Sequence, residues 1–463
     1  MHSSGTNGRS KSCLNISEVE PRFSSTKLAA AIIRGVLMLA VIFALVMIAA
    51  QPAQAQTETV IYNFCSQPGC TDGLDPTGNL ILDSAGNLYG TSVLGGNGCP
   101  TNPSGCGIVF ELSPNGNGGW TQTVLYSFSS VVTGANPILA PVVFDSAGNL
   151  YGTTDYGGSD NVGVVFELSP SGSSWTQAVL NSMVYGGAGG KQPEAGLILD
   201  AQGNLYGTTT SGGRYNRKRC PTRFGGCGVV FELTPSQGGT WTETVLHTFK
   251  GSLDGGIPQA APILDAQGNL YGTTAVGGAN NSGIVWKLTP ITKGKKKGQW
   301  KEQILHTFKG GTTDGASPWA GLIADAQGNF YGTTQEGGAY GSGTIFELTP
   351  KNGSWTETIL YTFTGGWDGG LPTSPLVFDN AGNLYGTTAA GGSGSCSGGC
   401  GVVFELTPSQ GGAWTETVLH SFAGTPDGAV SWSGLIFDTQ GNLYGMTREG
   451  GLSNSGVVFE VTP

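Results

Sequence analysis

The sequence predicts an all-β protein, a seven-bladed β-propeller with four antiparallel strands in each blade. Three observations predict this fold: a seven-fold internal repeat, four strand-like runs in each copy, and chain ends that together complete one blade. The chain has 463 residues, of which 80 are glycine and only 11% are charged. Glycine-rich turns between short apolar runs are typical of all-β proteins.

The repeat is marked by the motif Gly-Asn-Leu/Phe-Tyr-Gly. Seven copies follow one another at intervals of 54 to 65 residues. They begin at Gly86, Gly148, Gly203, Gly268, Gly328, Gly382 and Gly441. A sustained period of this kind indicates a repeat architecture. The copies fill the chain after an N-terminal segment, so we expect a single domain over residues 56–463.

Each copy contains four runs, which we name strands A to D. In the third copy they are Gly196–Asp200, Asn204–Thr209, Gly228–Pro235 and Trp241–Phe249. All are short and bounded by Gly, Pro or Asn, as strands are. Runs A and C are continuously apolar, which predicts strands buried on both faces. Run D alternates apolar and polar residues at first, which predicts a half-exposed strand.

The two chain ends supply complementary strands. Thr57–Phe64 matches run D, whereas the last residues, Gly456–Pro463, match run C. The seventh copy therefore lacks a strand D, and the N-terminal strand completes that last blade. Radial repetition of four-stranded blades leaves only short, protected edges. A closed ring explains the offset, and an open solenoid does not.

Residues 1–55 read as a targeting segment. Basic residues precede an apolar run, Gly35–Ala50, and Ala53-Gln54-Ala55 has the form of a signal-peptidase site. We expect a cleaved signal peptide and an extracellular or periplasmic protein. The alternative is an uncleaved N-terminal membrane anchor, although the run is at the short end for a membrane span.

Eight of the nine cysteines form close pairs. The pairs are Cys65 with Cys70, Cys99 with Cys106, Cys220 with Cys227, and Cys396 with Cys400. Local pairing behind a secretory leader predicts four disulfides that close loops. Zinc binding is the alternative, but the spacings lack the regular Cys-x-x-Cys form and a nearby histidine.

The units "GNLYGTT", "GVVFELTP" and "WTETVLHTF" closely resemble those of the bacterial choice-of-anchor tandem repeat (GloVer) proteins, also called the Gloeo/Verruco repeat. The likeness covers residues 57–463 and implies an exported repeat protein with no established biochemical role. More distantly, Leu197–Thr209 resembles the first two strands of NHL-type propeller blades.

Two recurring polar positions are interpreted as scaffold. An aspartate ends run A in every copy, and its side chain is suited to holding the A–B turn. The seven are Asp83, Asp145, Asp200, Asp265, Asp325, Asp379 and Asp438. His247, His306 and His420 share one position in run D that other copies fill with tyrosine. We therefore predict no catalytic or metal constellation from these histidines, and no metal or cofactor.

Function is predicted on one face of the ring. In an antiparallel meander the B–C and D–A connections share an end, and here they carry the longest insertions and all eight paired cysteines. Variable loops on a rigid scaffold are where function usually lies. This face also holds the candidate binding residues Trp319, Trp367, Trp432, Asp314, Asp368, Asp427, Glu336 and Glu449.

Aromatic rings beside carboxylates suit sugars, so we predict a glycan- or surface-polymer-binding face on blades 5 to 7. The alternative is that the tryptophans plug the channel or cap blade cores, and that the Asp-Gly pairs only form turns. The predicted function is a binding or scaffolding module of the cell envelope. An extracellular carbohydrate-active enzyme, a glycoside hydrolase or lyase, is the second possibility, with Glu336 and Glu449, together with Asp314 or Asp427, as the candidate carboxylates. A purely structural interaction scaffold is the third.

Charge limits the partners. A net charge of −10 argues against a nucleic-acid partner, which needs a basic surface. Basic residues cluster in the loops 214–223 and 293–301, which we interpret as solvated loops, with a polyanion contact as the alternative for the first. We expect a monomer that contacts a membrane only if the N-terminal segment is retained.

Overall fold

The computed structural model describes residues 57–99, 102–129, 132–185, 189–213, 220, 225–409 and 411–462. Contacts divide the chain into two units, residues 1–55 and 56–463, and every described residue belongs to the second. The predicted signal peptide or anchor and most of the basic loop 214–223 lie outside the described residues. A search of the described residues finds no helix with the length and apolarity needed to span a bilayer.

The described residues form seven four-stranded antiparallel sheets, which confirms the seven-bladed propeller. The strands of each sheet pair in the order A, B, C, D. Strands A are Ile81–Leu82, Val143–Phe144, Ile198–Leu199, Ile263–Leu264, Ile323–Ala324, Val377–Phe378 and Ile436–Phe437. Strands B are Leu88–Ser92, Leu150–Thr154, Leu205–Thr209, Leu270–Thr274, Phe330–Thr334, Leu384–Thr387 and Leu443–Thr447.

The outer two strands are longer. Strands C are Ile108–Pro114, Val164–Ser171, Val229–Pro235, Ile284–Pro290, Thr344–Lys351, Val402–Pro408 and Val457–Thr462. Strands D are Trp120–Ser127, Ser174–Ser182, Trp241–Thr248, Trp300–Thr307, Ser354–Thr362, Trp414–Ser421 and, in blade 7, Thr57–Asn63. Two 3₁₀ turns, Pro68–Cys70 and Ser252–Asp254, lie in D–A connections.

Blade 7 is closed as the sequence predicts. Thr57–Asn63 pairs antiparallel with Val457–Thr462, so the first and last strands of the described chain complete one sheet. The ring is also held across the same boundary by Asn79, whose Oδ1 accepts a hydrogen bond of 2.6 Å from the amide of Gly434. Closure of the ring removes the open edge that a linear array would expose.

The core lies between blades. Seven apolar clusters occupy the seven boundaries between neighbouring sheets. The first three residues of each strand C, which are Val-Val-Phe in four blades, are buried. The Gly of each Tyr-Gly pair lies under the aromatic ring of strand C. At Gly90, for example, a Cβ atom would come within 2.7 Å of the Phe110 ring. This close approach explains why glycine follows tyrosine in every copy.

Strand A departs from the prediction. It is two residues long rather than five in the third blade, and Ile198 and Leu199 are only half-buried. The apolar run was interpreted as a strand buried on both faces, which is correct for strand C but wrong for strand A. Ile198 and Leu199 pack against the apolar clusters on opposite faces of their sheet. Strand A is the innermost strand, so its free edge borders the central channel and leaves these side chains partly exposed.

The four predicted disulfides are present, at Cys65–Cys70, Cys99–Cys106, Cys220–Cys227 and Cys396–Cys400. Three of them lie in B–C connections and one in a D–A connection. The three B–C disulfides pack onto the apolar clusters between blades 1 and 2, 3 and 4, and 6 and 7. They therefore fasten long loops onto the core.

Candidate binding cavity

The A–B turn is a scaffold device, as the sequence indicates. In the turn at Asp265, Oδ1 accepts hydrogen bonds from the amides of Gln267 and Asn269. Oδ2 accepts from the Asn269 side chain at 2.7 Å and from the Tyr271 hydroxyl at 2.8 Å. Burial raises the pKa of Asp265, but these bonds outweigh it and leave the pKa below its usual value. The same four bonds recur in all seven copies, so the carboxylates are already engaged.

The B–C and D–A connections share one face, as predicted from the meander. In blades 3, 5 and 7 they pair as short ribbons, which are Gly190–Lys191 with Ser211–Gly212, Gly315–Ala316 with Glu336–Gly337, and Gly428–Ala429 with Glu449–Gly450. In the other blades a single bridge joins the two connections. Each D–A connection is therefore fixed before the chain turns into strand A.

A cavity of about 210 Å³ lies where the D–A connections enter the strands A. All seven blades line it, so it is the inner mouth of the propeller channel. Its lining is mainly apolar, and the polar groups are few. The lining includes Thr77, Asn79, Leu139, Pro141, Ile198, Gln259, Ile263, Trp319, Leu322, Thr373, Pro375 and Trp432.

Hydrogen bonds between neighbouring blades place this lining. The fourth residue of strand B is threonine in six blades, and its hydroxyl donates to a backbone carbonyl just before strand A of the next blade. Thr273, for example, holds the carbonyl of Ala320 at 2.9 Å. Ala320 directly follows Trp319, so this bond fixes the backbone that carries the tryptophan.

Trp432 is held by charges from two connections. The guanidinium of Arg448 lies 4.5 Å from the centroid of the Trp432 ring, in a cation–π contact. Arg448 Nε donates to Oδ1 of Asp75 at 2.6 Å, which ties the arginine to the connection that enters blade 1. The indole is therefore positioned before any ligand arrives.

Two buried polar atoms in the cavity wall have no hydrogen-bond partner among the described residues. They are Oε1 of Gln259 and Oγ1 of Thr373. A buried polar atom without a partner costs about 1–3 kcal/mol, so such atoms favour a ligand that can bond to them. None of the described residues that line the cavity has a charged side chain. The cavity is thus suited to a neutral ligand.

Glu194 lies behind the cavity wall and was not identified from the sequence. Burial raises the pKa of Glu194 to about 8, and the charge of Asp155 adds to the shift, while hydrogen bonds with Thr210 and Gln259 oppose it. The raised pKa favours the protonated form of Glu194 at neutral pH. The Asp155 carboxylate is buried and accepts a hydrogen bond of 2.9 Å from Gln192.

The sequence matches the Gloeobacter/Verrucomicrobia repeat over residues 46–219, 101–297 and 295–463. The chain belongs to this family. Each matched stretch spans about three of the seven blades. No curated protein sequence matches the chain.

Several solved structures are similar to this Gloeobacter/Verrucomicrobia repeat protein. One is the extracellular domain of a hybrid two-component system from B. thetaiotaomicron, at 12% identity and a TM-score of 0.48, with 87% of this chain and 39% of that chain covered. Another is a fungal alcohol oxidase of the AA5 family in complex with copper, at 14% identity and a TM-score of 0.49, with 89% of this chain and 77% of that chain covered. A third is a gluconolactonase from Xanthomonas campestris, at 14% identity and a TM-score of 0.36, with 69% of this chain and 83% of that chain covered. At these values they carry no statement about activity.

The structure separates the three predicted tryptophans of this repeat protein. Trp319 and Trp432 both line the central cavity. Trp367 lies in the D–A connection between blades 5 and 6, and 77% of its surface is exposed. The channel location was the stated alternative for these residues, and it is where two of the three are found.

The predicted carboxylates do not line the cavity. Asp314, Asp368 and Asp427 accept hydrogen bonds from backbone amides of their own connections. Glu336 and Glu449 occupy equivalent ribbons of blades 5 and 7, and both side chains are exposed. Glycoside hydrolysis requires two carboxylates that flank one bond. Glu336 and Glu449 lie in different blades, whereas Asp314 and Asp427 directly precede the strands that pair with Glu336–Gly337 and Glu449–Gly450.

The histidines belong to clusters that sequence reasoning missed. Each lies at the end of strand D and meets an Asp of the following connection and a Glu from strand D of the next blade. The clusters are His247–Asp254–Glu302, His306–Asp314–Glu357 and His420–Asp427–Glu58. In the first two clusters the Glu lies about one period further along the chain, and in the third it comes from the N-terminal strand. The available signal was that this position of strand D is either Glu or Gln in every blade.

Burial dominates the protonation of these clusters. It lowers the pKa of His247 to about 4, with the Asp254 charge acting in the opposite direction. It raises the pKa of Glu302 to about 7, and the charge of Asp254 adds to that shift. Burial likewise raises the pKa of Glu357 to about 7. The groups of these clusters therefore lie in a partly desolvated environment, and their ligand atoms are within 4.8 Å of one another.

Proposed function

We propose that this protein is an exported propeller that binds a neutral carbohydrate, or the end of a surface polymer, in the central cavity. The observation that carries the proposal is the composition of that cavity. Trp319 and Trp432 share it with two buried polar atoms that lack partners, Gln259 Oε1 and Thr373 Oγ1.

Sugar chemistry fits this lining. The apolar face of a pyranose stacks on an indole ring, and its hydroxyl groups both donate and accept hydrogen bonds. Gln259 Oε1 offers an acceptor, and the Thr373 hydroxyl can act in either role. The volume of about 210 Å³ lies below the ~300–1,000 Å³ of drug-sized ligand sites, which favours one ring or one chain end.

Export is supported by the four disulfides, because disulfides persist in oxidising compartments such as the periplasm and the extracellular space. A cell-envelope polymer is available in both places. A rigid ring that presents a pre-formed cavity suits recognition, since little ordering entropy is lost on binding.

The test is a glycan array probed with the wild type, with the double variant Trp319→Ala/Trp432→Ala, and with Trp367→Ala. We expect the wild type to bind neutral glycans. The double variant should bind at least tenfold more weakly, because both stacking surfaces are lost. Trp367→Ala is the matched control, since it removes an exposed tryptophan from the same face without changing the cavity.

Three results would reject the proposal. The wild type could bind no glycan, or bind only acidic ones, which contradicts the uncharged lining. The double variant could retain full affinity, which would move the site away from the cavity. Circular dichroism of each variant checks that the fold is intact.

A further inference from the structure

The His–Asp–Glu clusters differ from ordinary hydrogen-bonded groups. In the cluster between blades 4 and 5, His306 Nε2 lies 3.8 Å from Asp314 Oδ2 and 3.3 Å from Glu357 Oε2. In the cluster between blades 3 and 4, His247 Nε2 lies 3.9 Å from Asp254 Oδ2 and 3.5 Å from Glu302 Oε1. These separations exceed the ~2.7–3.2 Å of a hydrogen bond.

Several side-chain atoms of these clusters are buried and lack hydrogen-bond partners. Nε2 of His306 is inaccessible and makes no hydrogen bond within the described structure, and the same holds for Oε1 of Glu357, the carboxylate oxygen other than the one nearest His306. The Asp314 side chain is only 4% exposed. In the other cluster Nε2 of His247, Oδ2 of Asp254 and Oε1 of Glu302 are in the same condition. Such groups are costly in a folded protein unless something bonds to them.

The spacing of these atoms is within about 0.5 Å of that in the coordination shell of a zinc ion. Bonds of ~2.0–2.2 Å from Zn²⁺ to His nitrogen and carboxylate oxygen place neighbouring ligands of a tetrahedron about 3.3–3.5 Å apart. The three ligand atoms of each cluster lie within 4.8 Å of one another. One nitrogen and two carboxylate oxygens suit Zn²⁺ better than Ca²⁺, which takes six or more oxygen ligands.

We propose that His306–Asp314–Glu357 and His247–Asp254–Glu302 are zinc sites, in which each ion joins the strands D of two neighbouring blades. Three protein ligands leave the fourth position for water. The backbone amides of Lys309 and Gly315 hold the Asp314 carboxylate at 2.8 and 2.6 Å, so this ligand is oriented in advance.

The two sites differ in strength. Lys250 Nζ lies 3.3 Å from Asp254 Oδ2, so a cation already neutralises part of the site between blades 3 and 4. We therefore expect the His306 site to bind zinc more tightly. The third cluster is drawn together by a hydrogen bond of 3.0 Å between His420 and Asp427, and we do not include it.

The chain provides its own control. Between blades 5 and 6 the same three positions hold Tyr361, Asp368 and Glu416, and the Tyr361 hydroxyl donates to Asp368 at 3.0 Å. Tyrosine thus bonds to the aspartate without offering a metal ligand. Oε1 of Glu416 is also buried without a hydrogen-bond partner, so the unpaired histidine nitrogen is what distinguishes the two proposed sites. His306→Tyr should preserve packing and remove one site, whereas Tyr361→His should create a new one.

The experiment is isothermal titration of the tag-free full-length protein with Zn²⁺, with melting temperatures measured before and after chelation. Two zinc ions per chain are expected, with the tighter event missing in His306→Tyr. Tyr361→His should bind one ion more than the wild type. The wild type should melt at a higher temperature with Zn²⁺, and chelation should reverse the shift.

Absence of zinc binding at micromolar concentration would overturn the proposal. So would a stoichiometry that stays the same in both variants, since the ions would then be bound elsewhere. Binding of Ca²⁺ in preference to Zn²⁺ would also contradict the assignment. None of these outcomes depends on glycan binding, because the sites lie at strands D and the cavity at strands A.

Discussion

At the residue scale, one pair of side chains between strands D of neighbouring blades varies in chemistry from boundary to boundary. The residue near the end of strand D contacts a residue in strand D of the next blade at every boundary. Tyr62 donates to Gln122 and Tyr126 to Gln177, both at 3.0 Å. Asn181 donates to Glu243 at 3.0 Å. These side-chain pairs differ in charge from one boundary to the next, whereas the backbone of the D strands that carry them is the same in each blade.

Glu416 gives a prediction about pH. Burial raises its pKa from an ordinary 4.5 to about 7, and the charge of Asp368 adds to this shift. A raised carboxyl pKa contributes stability that is complete below pH 4.5 and is lost as the pH rises through 7. Tyr361, the third member of this cluster, is neutral throughout this range.

We therefore expect Glu416→Gln to unfold at the same denaturant concentration as the wild type at pH 4.5 and at a higher one at pH 8. The gain at pH 8 should be on the order of 1 kcal/mol, after allowance for the partial exposure of the side chain. Gln122 and Gln177 show that the repeat accommodates glutamine here. A variant that is less stable at pH 8 would contradict the raised pKa.

Single residues were the hardest to predict from the sequence. Period and strand pattern are local, so the A–B turn and its Asp could be interpreted from one copy. Trp319 and Trp367 occupy similar connections, and only the path of the chain decides that one enters the channel and the other does not. His306 and Glu357 belong to different copies, and their contact depends on how two blades pack.

At the scale of elements, loops and strands have separate tasks. Strands B and C are determined by a dense apolar pattern, and the sequence located them to within a residue or two. Strand A was overestimated because an apolar run that borders a channel resembles one buried between layers. The disulfides were predictable because their cysteines are near neighbours in the chain.

The disulfides should differ in their contribution to stability. Closing a loop of five to seven residues is worth about 2 kcal/mol in the chain-entropy description. Cys220 and Cys227 are also completely buried between blades 3 and 4, whereas Cys65 and Cys70 are half-exposed. Removing the buried pair therefore loses packing as well.

We expect Cys220→Ala/Cys227→Ala to lower the free energy of unfolding by at least about 1 kcal/mol more than Cys65→Ala/Cys70→Ala. Chemical denaturation of both double variants under oxidising conditions measures the difference. Equal losses would mean that the buried sulfur atoms add nothing to the core.

At the scale of the whole molecule, the ring is closed by strand pairing of the two ends of the described chain. A continuous D–A connection joins each blade to the next. The two chain ends meet inside blade 7, where strand D comes from residues 57–63 and strand C from residues 457–462. Loss of this pairing opens the ring, whereas loss of any other strand D leaves its blades connected.

Two equivalent proline substitutions separate these cases. Thr59 pairs with Glu460 in blade 7, and Thr244 pairs with Glu232 in blade 3, in the same register of strands C and D. Proline removes a ladder donor and restricts the strand equally at both sites. Only at Thr59 does the detached strand also release blade 7 from blade 1.

We expect Thr59→Pro to lower the melting temperature by at least ~3 °C more than Thr244→Pro, because ring closure is lost in addition to one strand. Its elution volume in size-exclusion chromatography should also decrease, since an opened ring is larger and exposes strand edges that associate. Equal melting temperatures would show that contacts such as the Asn79–Gly434 hydrogen bond and the Arg448–Asp75 pair hold the ring closed without the strand.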